Sequence, residues 1–231
     1  MFTIGFPAAA FGTNCYVLAP AEGEECVIVD PGVGVVDRLR DALKQFRLRP
    51  NAVLLTHGHI DHTYSVTPVC GAHGIAAHIH GADAYRLRDA LAAVDPAILS
   101  MLRMEYGDVT WRDPDDVVTF DGGVDLDMAG LTMRVEHAPG HTEGSVMFRL
   151  EGQPDSLPGD SGLIRTLIAG DVLFAGGIGR TDLPGGSEDE MLETLRDVVL
   201  SEHDDTLVLP GHGPATTIGR ERMTNPFLHN L

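Results

Sequence analysis

A single lysine, Lys44, stands among 231 residues, and 16 basic side chains face 34 acidic ones, for a formal charge of −18. A surface this negative repels phosphate backbones and has no basic stripe to follow them, so nucleic acid is excluded as a partner. Long apolar runs are missing as well. The longest, such as Val-Ile-Val at 27–29 and Ala-Val-Leu-Leu at 52–55, have strand length, whereas a bilayer span needs roughly 20 residues. No membrane partner is expected. The N-terminus has no basic segment ahead of an apolar one, so no leader is read there and the cytoplasm is the expected location. Only three cysteines occur, Cys15, Cys26 and Cys70, without any C-x-x-C. An odd set so spaced argues against a disulfide framework and a thiolate zinc site, and leaves three small apolar groups. No G-x-S-x-G is present, so a serine nucleophile on an elbow turn has no support.

The hydrophobic fraction of 43% is ordinary, and the length suits one domain spanning 1–231. Short β-branched or apolar runs recur between Gly, Pro, Asn and Asp, the pattern of strands separated by turns. PAEGE at 20–24 reads as a hairpin turn. FDGGVDL at 120–126 reads as another, with Gly122 and Gly123 supplying positive φ. Helical periodicity is expected over 36–48, over 83–94 and over 187–200, where Ser187 can cap onto Glu190 and Met191, Leu195, Val198 and Val199 share a stripe. The polar stretch at 151–162 reads as a long hairpin loop. Strands in two blocks with helices between and after them give an α+β chain in a four-layer αββα sandwich, two packed sheets covered by helices.

Residues 56–62 read T-H-G-H-I-D-H directly after an apolar strand run. His57 and His59 would face the same way from an extended loop, while Asp61 and His62 lie one turn further on and aim at a neighbouring spot. Two adjacent metal sites are the natural reading, and it differs from the i, i+4 pair of a helical zinc protease. Three later segments, each after a strand-like run, can complete the set: P-G-H-T at 139–142, A-G-D-V-L-F at 169–174 and P-G-H-G-P at 210–214. They offer His141, Asp171 and His212. Five imidazoles and two carboxylates suit zinc, iron or manganese. Of the other candidates, Asp30 in V-D-P-G reads as a turn residue able to support the metal loop. Arg180 and Asp182 read as an ion pair near the site, with Arg180 a candidate contact for an anionic substrate. His78, His80 and His137 read as strand or packing residues, and Met101 and Met104 either line an apolar mouth or pack a helix face.

In these motifs the chain resembles the metallo-β-lactamase superfamily along essentially its whole length, and within it the short glyoxalase II-type hydrolases of hydroxyacyl thioesters. The closer likeness lies in GDVLFAGGIGRTDLPGGS at 170–187 and PGHGPATTIGRERMTNPFL at 210–228. The resemblance implies that His57, His59 and His141 bind one metal, that Asp61, His62 and His212 bind a second, and that Asp171 bridges them. It implies two divalent ions, zinc first with iron or manganese as alternatives, and a metal-bridging hydroxide that attacks a small 2-hydroxyacyl thioester such as lactoyl-glutathione, with Asp61 and Asp171 as the catalytic carboxylates. A mononuclear iron persulfide dioxygenase and a lactonase are the alternatives carried by the same resemblance. Asp171 stands where the three-His zinc β-lactamases have Cys, which argues against β-lactam hydrolysis. Larger glyoxalase II enzymes continue into a helical domain that holds glutathione, so a tolerant thiol-carrier site is expected here.

Overall fold

The computed structural model describes residues 1–88, 90–94, 96–106, 110–159, 161–229 and 231. The first sheet opens as an antiparallel meander of β1 (Phe2–Pro7), β2 (Asn14–Ala19) and β3 (Glu25–Val29). Helix α1 (Val36–Gln45) then crosses over to β4 (Arg49–Leu54), parallel to β3. The one-turn helix α2 (Ile60–Thr63) and α3 (Val66–His73) lead to β5 (Ala77–His80), and two 3-10 stretches and α4 (Pro96–Tyr106) lead to the edge strand β6 (Val117–Phe120). The second sheet takes β7 (Asp125–Met128), β8 (Leu131–His137), β9 (Val146–Glu151) and β10 (Arg165–Gly170) as antiparallel neighbours. A small hairpin of β11 (Leu173–Phe174) and β12 (Gly177–Ile178) and helix α5 (Glu188–Asp197) precede β13 (Thr206–Pro210), which lies parallel to β10. Edge strand β14 (Thr216–Thr217) and α6 (Ile218–Thr224) follow.

Strand alternation builds the layers. On β3, Val27 and Val29 point into the space between the sheets with Phe148, Leu150 and Ile168, while Cys26 and Ile28 point outward against Leu39 and Leu43 of α1 and Val69 and Cys70 of α3. On the second sheet Leu167 and Val208 point outward against Met191 and Leu195 of α5. Central strands are therefore apolar on both faces, and each fully buried large side chain contributes roughly 1.5–3 kcal/mol. The order helix, sheet, sheet, helix is the expected αββα sandwich, and all three cysteines are buried and free. Ser187 caps α5 by accepting from the Glu190 amide at 3.3 Å.

Two expectations are corrected. FDGGVDL is no hairpin: β6 pairs with β5 and β7 with β8, so this segment carries the chain from the first sheet to the second, and only Gly123 has positive φ. The two-residue hairpin lies one strand later, at Ala129 and Gly130 with φ of 50° and 73°, which matches the twist of the flanking strands. The described residues of 83–94 form 3-10 turns, Gly81–Leu87 and Ala90–Ala93, instead of an α-helix, and the next α-helix is Pro96–Tyr106. Strands β4, β8, β10 and β13 end at one rim of the sandwich, and the loops leaving these four ends carry the residues described next.

Candidate metal centre

After β4 the chain bends at Thr56 and His57, is extended at His59 and then turns into α2, so His57 and His59 project from a loop while Asp61 and His62 project from the first helical turn. His141 follows β8, Asp171 follows β10 and His212 follows β13. All seven side chains predicted from sequence converge. Their donor atoms form three overlapping groups within 4.8 Å: His57, His59 and His141; His57, His62 and Asp171; and Asp61, His62 and His212. Asp171 sits between the outer two groups. Its Oδ2 lies 3.6 Å from His141 Nε2 and 3.5 Å from His212 Nε2, and its Oδ1 lies 3.3 Å from His62 Nε2. His212 Nε2 also stands 3.2 Å from Asp61 Oδ2.

The hydrogen bonds around the rings fix which nitrogen is free. Asp30, at φ 50° in the left-handed region, is buried and receives the Thr56 amide at 2.9 Å and the Thr56 hydroxyl at 2.6 Å. Since the Thr56 proton goes to Asp30, its oxygen accepts from His57 Nδ1 at 3.1 Å, leaving the His57 Nε2 lone pair bare. The same Asp30 receives His62 Nδ1–H at 2.9 Å, and the Arg180 carbonyl receives His141 Nδ1–H at 2.7 Å. One carboxylate thus orients an imidazole in each outer group, the usual support given to metal-bound histidines. The strained backbone at Asp30 belongs to this arrangement.

His57 Nε2, His62 Nε2 and Asp171 Oδ1 are buried without a hydrogen-bond partner. Orphaned donors and acceptors of this kind cost stability unless something else meets them. Three buried atoms aimed at one space, none in a hydrogen bond of good geometry, fit divalent cations, with nitrogen and oxygen donors of the type zinc, iron and manganese accept.

Electrostatics divide the centre. Burial, then the neighbouring imidazoles, hold His57 well below the ordinary histidine range, and burial with His141 brings His59 down to about 3. His141 is lowered by burial too. These three are neutral, the form that ligates metal. Burial also acts on His62, yet Asp171, Asp61 and Asp30 together carry it well above its usual value. Despite burial, the hydrogen bond to Asp61 and the charge of Asp171 raise His212. Asp61 and Asp171 are both lowered against their burial by the imidazoles around them.

Several supports were not foreseen in sequence. Thr13 donates to Asp61 Oδ2 at 3.0 Å and bridges His212, while Asn14 and Tyr16 donate to the Pro210 carbonyl at 3.0 and 2.8 Å, so the start of β2 clasps the last ligand turn. A Cβ on Gly211 would strike Asp171 Oδ1 and come within 2.8 Å of His62, which explains glycine in P-G-H-G-P. Arg180 and Asp182 pair through two bonds of 2.7 and 2.8 Å at an exposed position, so the side chain of Arg180 is held by its neighbour while its carbonyl supports His141. His80 and His137 stack at 4.4 Å and 13°, apart from the seven. Met101 and Met104 are exposed on α4, and Leu102 between them is the residue buried against Ala10 and Val33.

The metallo-β-lactamase superfamily model matches residues 8–212, and the chain belongs to that superfamily. In class it is a metal-dependent hydrolase. Among curated relatives, the hydroxyacylglutathione hydrolase GloC of Haemophilus influenzae is 31% identical over 97% of this chain and 96% of its own. Among solved structures, the BLEG-1 B3 metallo-β-lactamase is similar with a TM-score of 0.76 and 33% identity, covering 99% of this chain and 100% of that one. The di-iron-bound form of TTHA1623 gives 0.75 and 31%, covering 97% and 100%. Among the described residues no helix is long and apolar enough to cross a membrane.

Proposed function

We propose that the chain hydrolyses a small 2-hydroxyacyl thioester at a dinuclear centre, with lactoyl-glutathione as the representative substrate. The observation that supports the dinuclear reading is the buried trio His57, His62 and Asp171, a middle donor group that shares His57 with the His59 and His141 group and His62 with the Asp61 and His212 group. The likeness to GloC supports the thioester. In this reading His57, His59 and His141 hold one ion, Asp61, His62 and His212 the other, and Asp171 touches both. When bound, such a pair supplies a hydroxide at neutral pH and Lewis acidity toward the carbonyl. Thr56, Asp30 and the Arg180 carbonyl keep the imidazoles in the tautomer that presents a lone pair. Burial of His57, His62 and His141 keeps bulk water from the floor of the site. Zinc is the proposed metal, and the di-iron form of TTHA1623 makes iron the second choice.

The test combines metal analysis of the purified protein with four assays at neutral pH: thiol release from lactoyl-glutathione, oxygen uptake with glutathione persulfide, opening of a β-lactam and opening of a lactone. The β-lactam arm follows from BLEG-1. Two metals per chain with thiol release supports the proposal. One iron per chain with oxygen uptake overturns it in favour of a dioxygenase, and lactam or lactone opening without thiol release moves the same site to another acyl bond.

A further inference from the structure

Asp83 is a carboxylate with no exposed surface, in the 3-10 turn after β5, an element that carries none of the seven donors. Four donors converge on it. Its Oδ2 accepts from the Gly58 amide at 2.7 Å and the Thr142 hydroxyl at 2.8 Å, and its Oδ1 accepts from the Gly144 amide at 2.9 Å and Arg86 Nε at 3.3 Å. Gly58 lies between His57 and His59, and Thr142 follows His141. The two loops leave different sheets, and the side chains they carry meet where His59 Nδ1 stands 2.8 Å from His141 Nε2.

The backbone on both sides is cut to admit this carboxylate. A Cβ on Gly144 would come within 2.6 Å of the Asp83 amide and 2.7 Å of its Cβ and Cγ, and one on Gly58 within 2.6 Å of the Arg86 Cβ. Thr142 is itself aimed: its proton goes to Asp83, so Ser145 donates to its oxygen at 2.8 Å while Ser145 Oγ accepts the Thr142 amide at 3.1 Å. Arg86 extends the turn to Glu143 at 2.6 Å and to the Pro184 carbonyl at 2.9 Å.

We propose that Asp83 is a positioning residue that clamps the His57–His59 loop to the His141 turn and so sets the affinity of the three-histidine site, and not of the Asp61, His62 and His212 site. The inference rests on the dinuclear reading above. Only an ionised carboxylate satisfies it, because every partner is a donor. An asparagine of the same shape would set its own N–H groups against at least one amide, hydroxyl or guanidinium hydrogen.

The experiment measures zinc affinity by competition with a chromophoric chelator, in the parent and in a His212→Ala background that keeps the three-histidine site. Asp83→Asn is compared there with Thr142→Val, which removes one of the four bonds, and with Glu202→Gln. Glu202 is a buried carboxylate that pairs with Arg149 and Arg165 away from the site, so its variant reports the effect of destabilisation alone. Removing such support to a ligand weakens metal binding about 10- to 100-fold. Asp83→Asn should do so, Thr142→Val should fall short of it, and Glu202→Gln should leave affinity unchanged. The proposal is overturned if Asp83→Asn binds zinc as tightly as its background, or if Glu202→Gln weakens binding by the same factor. If Asp83→Asn does not fold, an unchanged affinity in Thr142→Val overturns it. Parent and His212→Ala stoichiometries of two and one check the dinuclear reading separately, so a failure there is not confused with a failure of the clamp.

Discussion

The two outer donor groups of the centre are built from opposite materials. His57, His59 and His141 are buried imidazoles held neutral by burial and by one another. Asp61, His62 and His212 mix a carboxylate with imidazoles whose proton affinity is raised by carboxylates. The first group presents neutral imidazoles, of which His141 must give up its hydrogen bond from His59 to a cation; the second holds its protons more firmly than free imidazoles do, and a cation must displace them. Asp171 alone faces both, so it is the point at which the comparison breaks. Asp171→Ala should lose both metals and drop hydrolysis to the level of the metal-free protein, read by metal content and thiol release.

A smaller effect follows from removing one member of each group. His59→Ala and His212→Ala should each halve the metal content, the first by emptying the neutral group and the second by emptying the mixed one. If either lost both metals, the two groups would not be independent sites.

Acid sharpens the contrast. Because His62 and His212 have folded-state values above the ordinary one, they hold their protons to higher pH than a free imidazole and lose them only as pH rises through those values. Each proton displaced costs roughly tenfold in apparent affinity per unit of falling pH. His57, His59 and His141 are shifted downward, so protons compete less for them over the same range. Lowering pH from 7 to 5.5 should release metal from the mixed group first, followed by metal content after dialysis at each pH.

The smallest effect is expected at the start of α5, where the Ser187 amide donates to the Gly140 carbonyl at 2.8 Å, a bond kept when the side chain is changed. Ser187→Ala removes the cap of α5 and should cost about 1 kcal/mol, or roughly 2–4 °C in Tm, with metal content unchanged. A change in metal content would show that the helix layer and the rim are coupled.

Which parts were legible in sequence follows from how local their causes are. The ligand set was readable because four of its seven members share seven consecutive residues and the other three each follow a strand run with Pro-Gly or Ala-Gly. The capping of α5 and the two-sided burial of central strands were equally local. FDGGVDL was misread because a Gly pair between alternating strands looks the same whether the chain turns back or crosses to another sheet; only the partners of β6 and β7 decide. The 83–94 stretch has helical spacing, but its first residues fold to bring Asp83 and Arg86 onto neighbouring loops, and tertiary hydrogen bonds override a weak propensity. Thr13, Thr56 and Asp83 carried no signal because their partners lie up to 199 residues away in strands whose proximity only the fold creates.

In the proposed centre these seven side chains hold two ions with Asp171 between them. A crystal structure of the metal-loaded protein, with anomalous diffraction collected at the metal edge, tests it directly. The prediction is two peaks about 3.5–4 Å apart, one touched by His57, His59 and His141, the other by Asp61, His62 and His212, with Asp171 reaching both. A single peak, or two peaks of which Asp171 touches only one, would contradict it.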